Sequence, residues 1–113
     1  MLISILKSKI HLATLTDTLL DYEGSIGIDP DLLKAAGIIP GEKVHVLNYH
    51  NGHRLETYAI EGTKGEVTLR GPAARLGKKG EKVVIIAYGL ADPIEASLIK
   101  PKIVHVDDRN EIK

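Results

Sequence analysis

A chain of 113 residues is the length of one domain. Its 15 basic and 15 acidic residues cancel, which removes the electrostatic footprint of a nucleic-acid or anionic-membrane binder. It has no cysteine, which excludes disulfides, thiolate nucleophiles and cysteine-based metal sites.

In chain order, most segments read as short strands between turn signals, the pattern of an all-β sandwich or barrel. Residues 2–6 and 11–16 are short apolar or β-branched runs. In the first ten residues the lysines follow the apolar stretch, the wrong order for a secretory signal. Gly24-Ser25-Ile26-Gly27-Ile28 then sets two glycines close together. Asp29 offers a helix N-cap, Pro30 suits the first helical position and Gly37 the C′ position, so residues 30–36 are predicted as a short helix. Residues 43–49 alternate as a strand, Asn51-Gly52 signals a hairpin, and residues 54–60 return. A further strand is expected at 66–70. Residues 82–88, KVVIIAY, read as a continuously buried strand. Pro93 opens one helical turn, residues 102–107 alternate again, and Asp107–Asn110 form a closing polar turn. No apolar run approaches the ~20 residues of a membrane span, so the cytoplasm is the expected location.

The chain lacks Trp and Phe, so its core must be aliphatic. The four tyrosines, Tyr22, Tyr49, Tyr58 and Tyr88, serve either as packing at a barrel rim or for their hydroxyls. One internal echo stands out. Ala35-Ala36 leads through Gly41-Glu42-Lys43 into a strand, and Ala73-Ala74 leads through Gly80-Glu81-Lys82 into another. Two such halves would supply one pseudo-twofold closed sheet, which also removes exposed strand edges.

The chemistry concentrates at Tyr22-Glu23-Gly24-Ser25. Glycine before serine permits a strained turn in which the Ser25 hydroxyl reaches the Gly24 carbonyl carbon. Attack moves the acyl group from nitrogen to oxygen, and β-elimination then cuts the chain. The dehydroalanine left behind hydrolyses to a pyruvoyl group. Taken alone, Gly-Ser reads as an ordinary turn, because the dipeptide is common. Five histidines, His11, His45, His50, His53 and His105, fit no metal-ligand spacing, and none is assigned to a metal.

Lys9-Ile10-His11, Tyr22–Ser25, Ile28-Asp29, Ala35–Ile38, Asn51-Gly52, Arg54, Thr57–Ile60, Val83–Ala87 and Arg109-Asn110 resemble, in order and spacing, the aspartate 1-decarboxylase family. The resemblance covers nearly the whole chain. It implies a mainly β fold, a six-stranded double-psi β-barrel with short helices, as a single domain over 1–113. It implies self-cleavage into a β chain, 1–24, and an α chain, 25–113. It also implies a covalently bound pyruvoyl cofactor derived from Ser25, L-aspartate as substrate, β-alanine made for pantothenate and coenzyme A, and a homotetramer with sites between subunits. Such a terminal ketone can condense with an amine as a Schiff base and act as an electron sink for decarboxylation.

Arg54 and Tyr58 stand four apart in one predicted strand and share a face. Arg54 could grip a carboxylate in a bidentate pair. Tyr58 resembles the family's proton donor, and an ordinary phenol is protonated at neutral pH, as an acid must be. Thr57 resembles a residue that assists cleavage and contacts substrate, although on a flat strand it points away from Tyr58. Lys9 resembles a residue that binds the substrate carboxylate or steadies the site, while His11 and Tyr22 are placed in support. Where the family carries Asn-Gly-Ala-Ala-Ala, this chain has Arg70-Gly71-Pro72-Ala73-Ala74 after a shorter loop. Arg70 brings a charge that could serve a developing oxyanion. Pro72 lacks the backbone N–H that the family's loop uses to hold substrate. Gly71, Pro72 and Ala73 carry the substrate-contacting positions over. The competing readings are a non-catalytic double-psi barrel used for binding, and a processing-defective relative.

Overall fold

The computed structural model describes the whole chain, Met1–Lys113. β1 (Ile3–Thr14) is one strand, not the two runs its sequence implies. It bulges twice against β7 (Lys82–Ala91): the register slips between Leu6 and Ser8 and again between Ile10 and Ala13. At the second slip His11 and Leu12 together oppose Val84, and Leu12 takes a φ of 59°. Each bulge resets the alternation, so a continuous strand reads as two fragments.

β2 (Asp17–Leu19) is too short to show any period. β3 (Ser25–Ile28) is buried at every residue, which erases alternation. Helix α1 occupies Pro30–Ala36 as expected. Asp29 accepts the Asp31 N–H at its start (2.7 Å), and Gly37, at φ 68°, closes it with its own N–H on Lys34 and that of Ile38 on Leu33. β4 (Lys43–Asn48) and β5 (Arg54–Glu61) form the hairpin around Gly52. β6 (Val67–Arg70) leads into a 3₁₀ helix, Gly71–Leu76. After β7, α2 (Pro93–Leu98) is longer than the single turn expected, and β8 (Lys102–His105) ends the sheet.

The strands form one mainly β sheet in the order β2-β6-β3-β5-β4-β7-β1-β8. Leaving aside the outermost β8, the two ends of the order lie on one continuous segment, because β1 passes into β2 through Leu15 and Thr16 alone. The Leu15 N–H donates to Glu81 O and the Thr16 N–H to Val67 O, both at 2.8 Å. Counting β1 with β2 leaves six positions around the sheet, consistent with the predicted six-stranded barrel. β8 is an addition, parallel to β1 on its outer side.

The internal echo is a structural repeat. β3-α1-β4 matches β6-3₁₀-β7, and the partners pair antiparallel, β3 with β6 and β4 with β7. The turns match bond for bond: Glu42 accepts the Ile39 N–H as Glu81 accepts that of Lys78. Gly41 (φ 90°) donates to Ala59 O as Gly80 (φ 91°) donates to Leu15 O.

The core is aliphatic throughout. Ile10, Leu15, Ile26, Ile28, Leu32, Val44, Val46, Val67, Val83 and Ile85 are fully buried. All four tyrosines lie at the surface. Asn110, buried at the C-terminal end, binds both Thr14 N and Thr14 O and reaches Gly65 O, so its burial leaves no polar group unpaired. No helix is long and apolar enough to cross a membrane.

Candidate active site

Two ladders fix the surroundings of the Gly24–Ser25 bond. β3 runs parallel to β5 with Ile26 opposite Ala59, which sets Ser25 level with Tyr58 and Gly24 level with Thr57. On its other side β3 runs antiparallel to β6 with Ser25 opposite Arg70, which sets Gly24 level with Gly71. The bond therefore lies between Thr57-Tyr58 and Arg70-Gly71. Ser25 is buried, 3% exposed.

Gly71 presses on this segment. Its φ is 68°, and a Cβ added there would stand 2.6 Å from Tyr22 O, 2.7 Å from Gly24 N and 2.8 Å from Gly24 Cα. Both its backbone angle and its surroundings therefore demand glycine. Pro72 follows, with its Cδ 3.7 Å from where a Cβ on Gly24 would lie.

Beside the bond opens a cleft of about 430 Å³, lined by Gly24, Leu55, Glu56, Thr57, Tyr58, Pro72, Ala73 and Leu76. That volume suits a small molecule. Thr57 and Tyr58 both line it, although the β4–β5 ladder runs from Arg54 to Tyr58 without a bulge. Of the two ways to reconcile their opposite strand faces, a bulge or a barrel twist, the bulge is absent. They meet the cleft together because β3 pairs with β5 only from Ile26 onward, so the β5 edge beside Gly24 stays open. Glu56 also lies on the rim. Its charge is met by Lys43 (3.1 Å), with His45 Nε2 at 3.4 Å, and the hydrogen bond from Lys43 holds its carboxyl below the usual range.

Arg70 does not line this cleft. Its Nη2 donates to Glu66 Oε2 at 2.6 Å, and its guanidinium carbon sits 5.3 Å from the centre of the Tyr22 ring. Glu66 thus neutralises the charge that the sequence offered to an oxyanion. Lys9, opposite Ile86, and Arg54, opposite Leu47, are also outside the cleft, and His11 stands beside His105 with ring centres 5.7 Å apart. No three His, Asp or Glu side chains converge as a metal site. A larger cavity of about 750 Å³ lies between α1 and the C-terminal turn. It gathers none of the predicted site residues, and its three acidic side chains balance its three basic ones.

The sequence reading missed the apolar walls, Leu55 and Leu76, and the Glu66–Arg70 pair. The pair was legible: opposite charges four apart in a strand share a face. Burial raises the Glu66 carboxyl, but hydrogen bonds from the Thr63 backbone, Arg70 and Thr68 outweigh it and hold the group below its ordinary value of 4.5. A lowered carboxylate contributes stability that is full above its unfolded value and fades as pH falls through the folded one. Glu66→Gln should therefore flatten the acid side of the stability–pH curve below about pH 4.5, which urea melts at several pH values will measure.

A mainly β chain that seats a buried serine beside a small open cleft has the build of a small enzyme. Sequence comparison agrees with that class. A family model described as "Aspartate decarboxylase" matches residues 1–113. Proteins named aspartate 1-decarboxylase are similar throughout. That of Caldicellulosiruptor saccharolyticus is 54% identical, covering 99% of this chain and 89% of its own. That of Dehalococcoides mccartyi is 51% identical over 95% and 88%, and that of Phenylobacterium zucineum 50% identical over 100% and 98%. The chain belongs to the aspartate decarboxylase family.

Proposed function

We propose that this chain decarboxylates L-aspartate to β-alanine and carbon dioxide in the cleft beside Gly24, after cutting itself between Gly24 and Ser25. The observation that carries the reading is the convergence of Gly24, Thr57, Tyr58, Pro72 and Ala73 on one cleft, with Gly71 packed against the bond to be cut. Relatives about half identical over 88–98% of their length share the decarboxylase name, which disfavours a non-catalytic barrel.

In the cleavage, Ser25 Oγ attacks the Gly24 carbonyl carbon and the Gly24–Ser25 C–N bond breaks, leaving an ester. Loss of the Ser25 α-proton expels the Gly24 carboxylate, and water then replaces the nitrogen of residue 25 as ammonia. The products are residues 1–24 and a chain beginning at a pyruvoyl group in place of Ser25. The surroundings fit that group: residue 25 is buried at a strand start, and residue 24 opens directly on the cleft. When formed, the pyruvoyl group supplies a carbonyl that binds the substrate amine and accepts the charge left by carbon dioxide.

The side chains do the rest. Tyr58, 39% exposed on the cleft, offers its Oη–H to the carbon that has lost carbon dioxide. Thr57, level with Gly24, is placed to steady the carbonyl under attack. Pro72 and Ala73 add apolar wall to the cleft, and Pro72 brings no backbone N–H to it. Lys9 and Arg54 bind the substrate carboxylates. The chain works as a homotetramer whose subunits complete one another's sites, with His11 in support; the place of Lys9 and Arg54 outside the cleft of their own chain fits a site shared between subunits. The product serves pantothenate synthesis, in the cytoplasm.

Intact mass and a denaturing gel test the reading directly: two fragments are expected alongside carbon dioxide release from L-aspartate. Active protein with an unbroken backbone overturns it. Tyr58→Phe should still cut itself yet turn over about a hundredfold more slowly, the usual scale of a lost general acid. Full turnover by this variant would remove Tyr58 from the proton-donor role.

A further inference from the structure

Glu66 and Arg70 have no part in turnover as drawn above, yet they are built into the segment that must be cut. Arg70 lies directly opposite Ser25 in the β3–β6 ladder, so both side chains leave the same face of the sheet. Its guanidinium runs past Gly27 to Glu66. The passage exists because residue 27 has no side chain: a Cβ there would stand 2.5 Å from Glu66 Oε2 and 3.1 Å from Arg70 Nη2. Glu66 is held in turn by the Thr63 N–H (3.0 Å) and hydroxyl (3.2 Å). The guanidinium carbon also lies over the Tyr22 ring, 5.3 Å from its centre. Arg70 Nε is buried without a partner. A chain of contacts thus runs from the Thr63 turn through Glu66 and Arg70 to Tyr22, two residues before the bond to be cut.

We infer that Glu66 and Arg70 act as one strut that positions Tyr22–Gly24 for attack by Ser25. The inference rests on the self-cleavage reading above. Arg70 touches no substrate and is a positioning residue. It needs Glu66 because a guanidinium whose side chain is only 20% exposed, left without its partner, would turn toward water and release the Tyr22 ring. A modest displacement of the Gly24 carbonyl is enough to slow an intramolecular attack, since reach and angle set its rate.

The test follows fragment formation in freshly purified precursor by intact mass, at a temperature where each variant is shown to be folded. Glu66→Gln and Arg70→Lys should each cut about tenfold more slowly than wild type. The double variant should also be about tenfold slower instead of a hundredfold, because partners in one unit are not additive. Tyr22→Leu, an exposed position outside the core, should slow cleavage without lowering the melting temperature. Carbon dioxide release per cut chain should be unchanged in Glu66→Gln, which a general disturbance of the site would not allow. Wild-type cleavage rates in the folded single variants, or full additivity in the double, overturn the strut and leave self-cleavage standing. Wild-type precursor that never cuts overturns both.

Discussion

Ser25→Ala is expected to yield a single uncut chain, folded like the wild type and without detectable turnover. The substitution removes one oxygen from a side chain 3% exposed at the start of β3, so little packing is lost. Without that oxygen there is no attack on Gly24, no ester and no ketone-bearing terminus. The chain has no cysteine that could stand in as the attacking group. Circular dichroism should overlay the two proteins, and intact mass should show one species at the full-length value. Measurable carbon dioxide release from such a variant would place the electrophile elsewhere.

Gly71→Ala is expected to damage folding and cleavage together. At φ 68° an alanine costs roughly 1–2 kcal/mol in backbone strain. Its methyl would also lie within 2.8 Å of three backbone atoms of Tyr22 and Gly24, which cannot be relieved by turning a side chain. The melting temperature should fall by more than ~5 °C, and cleavage should slow at least tenfold. Gly80→Ala supplies the comparison. Its φ is 91°, and nothing lies within 4 Å of the added carbon. That variant should lose stability from strain alone and cut at the wild-type rate. Equal cleavage defects at both positions would show that strain, not pressure on Gly24, governs the effect.

The elements legible in the sequence were those whose signals are local. Asp29, Pro30 and Gly37 bound α1 because capping needs only neighbours a few residues away. The Gly-Glu-Lys echo was legible because both turns use the same short-range bonds from Glu42 and Glu81. The absence of Phe and Trp forced an aliphatic core. β1 was misread as two strands, and β2 was missed. Bulges at Lys7 and Leu12 interrupt the period on which strand reading depends, and three residues are too few to show one.

The site divided along the same line. The resemblance to the aspartate decarboxylase family named Gly24, Ser25, Thr57 and Tyr58, whereas residue types alone left Gly24-Ser25 an ordinary turn and Thr57-Tyr58 an ordinary strand. Tertiary structure alone decided which residues share a cleft. Residues 24, 57 and 72 are far apart in the chain and become adjacent only through the β3–β5 and β3–β6 registers. It decided that Arg70 is tied to Glu66 instead of facing the cleft, because the vacancy at Gly27 gives the guanidinium that route. It also decided that Lys9 and Arg54 stand apart from Gly24 within one chain. Composition carries the kind of chemistry a chain can perform, whereas strand register, set by long-range pairing, determines which groups are near enough to perform it.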